Sequence, residues 1–381
     1  MSELLTVGIV GSSMKENEER VAIHPEHIER IPPELRKQMT FEKSYGLKFG
    51  VDDQTIAQLT SGRVASRKEI LNDFDCVLMP KPLAEDLSQV REGAVVWGWP
   101  HCVQQKENTQ IAIDRKLTLI AWEEMFTWSS SGDKNMHVFY KNNEMAGYAG
   151  VNHALSLMGI AGNYGKARKA VVLSFGSVSR GAVYALQGQG IQDITVYTNR
   201  ISTDVSDQLP GIIFKQMKND DSGQLLSIEP DGSKLPFSEV LSDVDIIVNG
   251  ILQNTEHPIM FVSKEDSDKL MNGTLIIDIS CDEDMGFWCA KPTSFEHPMF
   301  ESEGKFYYSV DHSPSYYWQS ASWEISEAIL PFLPIIIGGS KVWDQNDPIS
   351  KAIEIKKGVI QNSKILSFQN RNKQYPHLLQ N

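Results

Sequence analysis

Cysteine is scarce in this chain of 381 residues. Only Cys76, Cys102, Cys281 and Cys289 occur, none in a C-x-x-C pair and none with paired His spacing, so zinc is not indicated. Isolated reduced thiols in a cytoplasmic protein are the simplest reading. Basic charge is short as well. Lys plus Arg number 36 against 49 Asp plus Glu, a formal net charge of −13, which disfavours a polyanion and hence a nucleic-acid partner. No apolar run reads as long enough to span a bilayer; the longest, in ILPFLPIIIGG, is interrupted by two prolines, so no membrane partner is expected. The opening MSELLTVGIVGSS has no basic n-region and passes directly into a strand-like stretch, which argues against a signal peptide. Internal repeats and low-complexity segments are lacking too. What remains, 41% hydrophobic and 22% charged residues, is the composition of a soluble globular protein with two or three domains.

Short apolar runs bounded by turn residues read as strands: LTVGIVGS (5–12), DCVLMP, GAVVWGW and LTLIAWEEMF, then ARKAVVLSF, VDIIVNGI and GTLIIDIS. Helical stretches alternate with them. HPEHIERI carries Pro25 in a first turn, and residues 143–165 are helix-like with glycine interruptions. This alternation predicts an α/β protein with parallel sheets. Residues 218–236 read as a surface loop or hairpin, 320–339 as one long helix, and DPISKAIEIKKGVI as a further helix with a short tail.

The stretch VVLSFGSVSRGAVYALQGQGIQDITVYTNR (171–200) reads as strand, glycine turn, helix and second strand. It lacks two features of the dinucleotide fingerprint. Val178 stands where the middle glycine belongs, and the second strand ends in Thr198-Asn199-Arg200 with no acid. A helix N-terminus still presents N–H groups and a positive dipole end to an anion. Gly176 allows a tight exit, Gly181 allows close helix–strand packing, and Ser177, Ser179 and Arg180 offer side-chain contacts to phosphate. The competing reading is an ordinary strand–helix turn. An acid after the second strand would accept the ribose hydroxyls of NAD, whereas the neutral-plus-basic Asn199-Arg200 suits a 2′-phosphate. If this is a nicotinamide site, NADPH is favoured over NADH; otherwise Arg200 is a solvated surface residue.

Several chemistry-bearing residues fall just past strands. Arg20 in NEERVAIHP has the bidentate fork that suits a carboxylate, Lys81 lies between two prolines in LMPKPL, and His101 follows VVWGWP. Ligands of α/β sheets bind at the carboxyl ends of strands, so these three cationic groups are expected to converge. Glu123 and Glu124 of IAWEEMF have comparable positions and suit an ammonium. Asp278, Asp282, Glu283 and Asp284 in DISCDEDMGFW read either as a hard-metal site or as a loop with one functional acid. Asp311 and His312 follow a later strand.

Taken in order, R-V-A, K-P, P-H-C, A-G-Y-A-G, the glycine turn, V-N-G-I-L, D-I-S-C-D and D-H-x-P-S resemble the alanine dehydrogenase/transhydrogenase superfamily over about residues 5–340. The V-N-G-I-L stretch and Asp311-His312-Ser313-Pro314 are most similar to the branch of lysine-forming saccharopine dehydrogenase and N(5)-(carboxyethyl)ornithine synthase. The resemblance implies two Rossmann-like domains with a cleft between them. A discontinuous substrate domain would comprise 1–140 plus 325–381, and an inserted dinucleotide domain 141–324. It places Lys81 and His101 as the acid/base pair, and Arg20 as keto-acid clamp with Glu123, Glu124, Asp311 and His312 also on the substrate. The turn residues 176–180, Asn199, Arg200, Asn249, Gly250, Ile251 and Asp282 fall on the cofactor, with no metal. The activity implied is NADPH-dependent condensation of a 2-keto acid, pyruvate foremost, with the side-chain amine of ornithine or lysine. Alternatives are saccharopine dehydrogenase, alanine dehydrogenase, or a non-catalytic ligand-binding homologue. A homo-oligomer is expected.

Overall fold

A computed structural model describes residues 4–220, 223–253 and 258–380. The chain divides into two compact units, one of residues 1–140 with 317–381 and one of residues 141–316. The sequence reading had placed the return to the first unit at 325.

In chain order the first unit contains β1 (Val7–Ile9), β2 (Met39–Glu42), β3 (Val64–Ala65), α1 (Arg67–Asp73), β4 (Cys76–Leu78), β5 (Val95–Gly98), α2 (Lys106–Asp114), β6 (Thr118–Ala121), β7 (Phe126–Trp128) and β8 (Lys134–His137). The second contains α3 (Tyr140–Leu157), β9 (Lys169–Leu173), α4 (Ser177–Gly188), β10 (Asp193–Thr198), β11 (Ile213–Asn219), β12 (Leu225–Ile228), β13 (Lys234–Pro236), β14 (Ile246–Asn249), β15 (Met260–Val262), β16 (Leu275–Asp278), β17 (Gly286–Phe287), β18 (Met299–Ser302) and β19 (Lys305–Tyr308). The chain then returns through α5 (Trp318–Ile329), α6 (Leu333–Ile337), β20 (Ile353–Lys356), β21 (Val359–Ile360) and α7 (Ser363–Phe368).

The first unit's eight-stranded sheet runs β21-β20-β6-β5-β4-β1-β2-β3. Strands β1 to β6 pair in parallel, and β20 and β21 are antiparallel additions. Apolar residues cover both faces, which is why β1, β4, β5 and β6 are buried throughout. The second unit's nine-stranded sheet runs β13-β12-β11-β10-β9-β14-β16-β19-β18, parallel in the middle with antiparallel β12, β13 and β18 at the edges. It too is covered on both faces. The parallel sheets read from the sequence are thus extended by antiparallel strands at their edges. The edge strands are hairpin partners, and a short turn can join only antiparallel strands.

Three local readings are corrected. Residues 353–360 form a hairpin, not a helix. Lys357 and Gly358 are its two-residue turn, both with positive φ (51° and 80°), the conformation that matches strand twist. The long helix expected over 320–339 is interrupted by a 3-10 turn at Leu330–Phe332, with Pro331 and Pro334 each removing a backbone donor. The helical run Ser313–Ile337 nonetheless has the length and composition to cross a membrane, although Ile325, Ile329, Leu333, Ile336 and Ile337 lie in the first unit's core. Finally, Gly181 was read as a helix–strand spacer. A Cβ there would lie 1.7 Å from the Glu144 carbonyl oxygen, and one at Gly147 would lie 1.8 Å from that of Val178. The two glycines let α3 and α4 touch backbone to backbone.

Candidate active site

In the first unit the loops that follow β1, β4, β5 and β6 bring together groups far apart in sequence. Lys81 Nζ lies 2.7 Å from His101 Nε2. The His101 backbone N–H donates to Glu123 Oε1 at 2.7 Å, and the same oxygen is 3.6 Å from His101 Nδ1. With Lys81 donating to Nε2, the neutral imidazole carries its proton on Nδ1, toward Glu123. His101 has φ +49°, a left-handed conformation that its bond to Glu123 helps hold. Trp99 presents its ring to two cations, with Arg20 Cζ 5.3 Å and Lys81 Nζ 5.7 Å from the centroid.

Arg20 is buried, and so is its partner Glu18. Arg20 Nε donates to Glu18 Oε1 at 2.8 Å, and Nη2 donates to Oε2. The bidentate edge expected for a substrate carboxylate is thus occupied by an internal acid.

The two adjacent glutamates part company. Glu123 joins the Lys81–His101 couple, and burial reinforced by the charge of Glu354 holds its carboxyl well above the usual range. Glu124 instead pairs with Lys134 of β8 at 2.6 Å. Sequence reasoning missed His137. Its Nδ1 accepts from the Phe139 N–H at 3.0 Å and its Nε2–H donates to the Glu123 carbonyl at 3.2 Å. Burial pushes this imidazole down to about 4, so it stays neutral and braces the Glu123 turn. It also missed Glu354, which lies outside every motif.

In the second unit Gly176 to Arg180 follow β9 and Asn249 to Ile251 lie at the end of β14, adjacent strands at which the sheet order reverses and where α/β sheets bind ligands. Gly176 caps α4 and is exposed; a Cβ there would meet nothing within 4 Å. Ser177 and Val178 follow, both partly exposed. Ser179 and Arg180 are turned to structural work instead. The fully buried Ser179 hydroxyl donates to the Leu173 carbonyl at 2.9 Å and meets Ser174 Oγ at 2.8 Å. Arg180 ties down the carbonyls of Asp207 and Ser206 and lies over Phe175. Gly250 closes against the turn, since a Cβ there would lie 2.4 Å from Ser179 Oγ. Ile251 donates its N–H to Asn249 Oδ1.

Asn249 is buried and donates to Asp278 Oδ1 at 2.9 Å, while Tyr307 donates to Asp278 Oδ2 at 2.6 Å. Burial pushes Asp278 up to about 6 and raises Asp282 as well. No cluster fit for a metal occurs among the described residues. Asn199 and Arg200 are exposed at the end of β10, where the Arg200 N–H points to Thr198 Oγ1 and the Asn199 carbonyl accepts from Gln216. Asp311 and His312 also lie in this unit. His312 donates its N–H to Asp311 Oδ1 at 2.7 Å and packs its ring on Phe295.

Comparison with known proteins gives a consistent result. The profile for the alanine dehydrogenase/PNT N-terminal domain matches residues 9–146, and that for the alanine dehydrogenase/PNT C-terminal domain matches residues 160–363. The chain is 26% identical over 336 residues to an N(5)-(carboxyethyl)ornithine synthase of Clostridium botulinum, covering 82% of this chain and 89% of that one. It is 26% identical to the synthase of that name from Lactococcus lactis subsp. lactis, covering 85% and 93%. An L-alanine dehydrogenase structure shares its fold with a TM-score of 0.73 at 17% identity, over 95% of this chain and 98% of that one.

Proposed function

The chain belongs to the alanine dehydrogenase/PNT family, and within it we propose that it is an NADPH-dependent oxidoreductase that joins a 2-keto acid, pyruvate foremost, to the side-chain amine of ornithine or lysine. Relatives named for that reaction match at 26% identity, whereas alanine dehydrogenases of Methanococcus maripaludis and Staphylococcus aureus match at 21% and 22%. The observation that carries the chemistry is the contact of Lys81 with His101, held by Glu123.

The residues meet the needs of the reaction as follows. The attacking amine must lose a proton, and the carbinolamine oxygen must gain one to leave as water. Lys81 and His101, sharing one proton across 2.7 Å, can take the first and return the second. Arg20, steadied by Glu18 and the Trp99 ring, holds the keto-acid carboxylate so that the imine carbon faces one direction. Asp311 and His312 are proposed on the amino-acid partner. Residues of the second unit fit a dinucleotide: the open space beside exposed Gly176 admits a pyrophosphate at the start of α4. Ser177 and Val178 would line it, Gly250, Ile251 and Asp282 would flank the nicotinamide side, and Asn199 with Arg200 would meet the ribose. Ser179, Arg180 and Asn249 support this surface from behind. When bound, the cofactor supplies the hydride that reduces the imine. A cytoplasmic homo-oligomer is the form expected.

The test is NADPH oxidation with pyruvate against a panel of amines, followed by mass analysis. The expected product is the N-(carboxyethyl) derivative of ornithine or lysine. Turnover with ammonia to give alanine, and none with the diamino acids, would overturn this reading in favour of an alanine dehydrogenase.

A further inference from the structure

Glu354 belongs to none of the family motifs, yet it is buried beside the proposed acid/base couple. It sits at the centre of β20 at 2% exposure. That strand is bonded to β6, with the Ala121 N–H donating to the Ala352 carbonyl at 2.8 Å, and β6 leads directly to Glu123. Glu354 Oε1 accepts from Asn362 Nδ2 at 3.0 Å, and its carboxyl is within reach of the thiol and backbone of Cys102, the neighbour of His101. Glu123 Oε2 and Glu354 Oε2 are both buried without a hydrogen-bond partner.

Two carboxylates that each strand a buried oxygen are costly when both are charged. One proton between them removes a charge and gives a donor to a lone pair. The surroundings do not supply an alternative. Lys81 faces Glu123 from the β4 loop and adds one positive charge, but it is engaged with His101. His137 of β8 is neutral. Glu124 adds negative charge at Glu354 and is itself paired with Lys134. The Cys102 thiol is held protonated by burial and by both glutamates.

We propose that Glu123 and Glu354 act as one carboxyl pair sharing a single proton at neutral pH, and that Glu354 is thereby a positioning residue for the Lys81–His101 couple. The couple's role rests on the functional reading above. With the proton on Glu354, Glu123 is charged and makes a charge-assisted bond to the His101 N–H, which secures the left-handed conformation of that residue. With the proton on Glu123 that hold weakens. Burial and neighbouring acids raise both groups, Glu354 to about 7, so the exchange falls in the working pH range.

The experiment follows carboxyl infrared bands of protein carrying carbon-13 glutamate as pH is varied, with no substrate present. Glu354→Gln leaves Glu123 without a rival, and its titration midpoint is expected to fall by roughly one pH unit or more, a tenfold gain in acidity. Glu123→Gln should lower the midpoint of Glu354 likewise, so either variant alone suffices if the other fails to fold. An unmoved midpoint in the folded variant overturns the pair. The acid limb of the kcat/KM profile in Glu354→Gln should move down by the same amount. A limb that stays put in an active enzyme, with the midpoint moved, overturns the positioning role. If wild type turns over none of the amines, the functional reading fails while the infrared midpoints still decide the pair.

Discussion

Lys81 Nζ stands 2.7 Å from His101 Nε2, a separation at which two cations would repel and one shared proton is stable. General acid–base groups contribute about a hundred-fold or more. Lys81→Met and His101→Asn are each expected to cut turnover by roughly that factor while NADPH binding, read by fluorescence, is unchanged. Near-normal turnover in either variant removes that residue from the mechanism.

Glu18 and Arg20 form a buried ion pair, and removing one partner leaves the other charge stranded. Glu18→Ala is expected to cost about 3–5 kcal/mol of stability in urea unfolding. Arg20→Lys keeps the charge but loses the planar group that grips Glu18; on the proposed role of Arg20 the keto-acid KM should rise while that for NADPH does not. An unchanged keto-acid KM places the clamp elsewhere.

His137 gives a pH signature. Its folded value is lowered to about 4 from an ordinary 6.5. The unfolded chain therefore takes up a proton before the folded one does. The stability from keeping this residue neutral is complete above about 6.5, is lost as pH falls toward 4, and levels off below. The loss is at most about 3 kcal/mol. Replacing His137 with Gln should remove that part of the difference between unfolding free energies at pH 7 and pH 4.5. An identical acid dependence in the variant would show that the residue is not held neutral by the fold.

The glycine contact between α3 and α4 is equally open to measurement. A methyl group at Gly181 would sit 1.7 Å from the Glu144 oxygen, so Gly181→Ala should force the helices apart at a cost of about 1–3 kcal/mol. NADPH affinity should weaken with it, because α4 carries the turn. Wild-type stability in this variant would mean that the helices have slack.

Much of this was legible in the sequence because it is local. Apolar runs marked the central strands, and strand-end position selected Arg20, Lys81 and His101 together with both Glu123 and Glu124, without telling the two glutamates apart. The inward turn of Ser179 was not, since a serine in a glycine turn reads alike whether it faces an anion or the Leu173 carbonyl. The occupied fork of Arg20 was hidden too. A nearby Glu18 is unremarkable until burial removes its water. Glu354 was misplaced because I-E-I-K alternation was read as helix, although the Lys357-Gly358 turn signals a hairpin. Its pairing with β6 joins residues more than two hundred positions apart, which no window on the chain reveals.

On the proposed reading, the choice between NADPH and NADH turns on the end of β10. Thr198 is buried there, while Asn199 and Arg200 are exposed at its carboxyl end, where the second strand of a dinucleotide unit meets the adenosine ribose. The Gln216 side chain holds the Asn199 carbonyl at 3.0 Å, which fixes the backbone and leaves the choice to side chains. A 2′-phosphate carries close to two negative charges, and a guanidinium binds it where a carboxylate would repel it. One charge-assisted contact is worth about 1.5–3 kcal/mol, roughly ten- to a hundred-fold in binding. Arg200→Ala should therefore weaken NADPH by that factor and leave NADH nearly unchanged. Asn199→Asp should go further, repelling the phosphate and offering the ribose hydroxyls of NADH an acceptor. The rival arrangement has Arg200 in solvent and the Gly176 turn serving a plain NAD pyrophosphate. Measuring kcat/KM with both nucleotides in wild type and Arg200→Ala separates them. A wild-type preference for NADH, or a variant that keeps the wild-type ratio, would defeat the assignment.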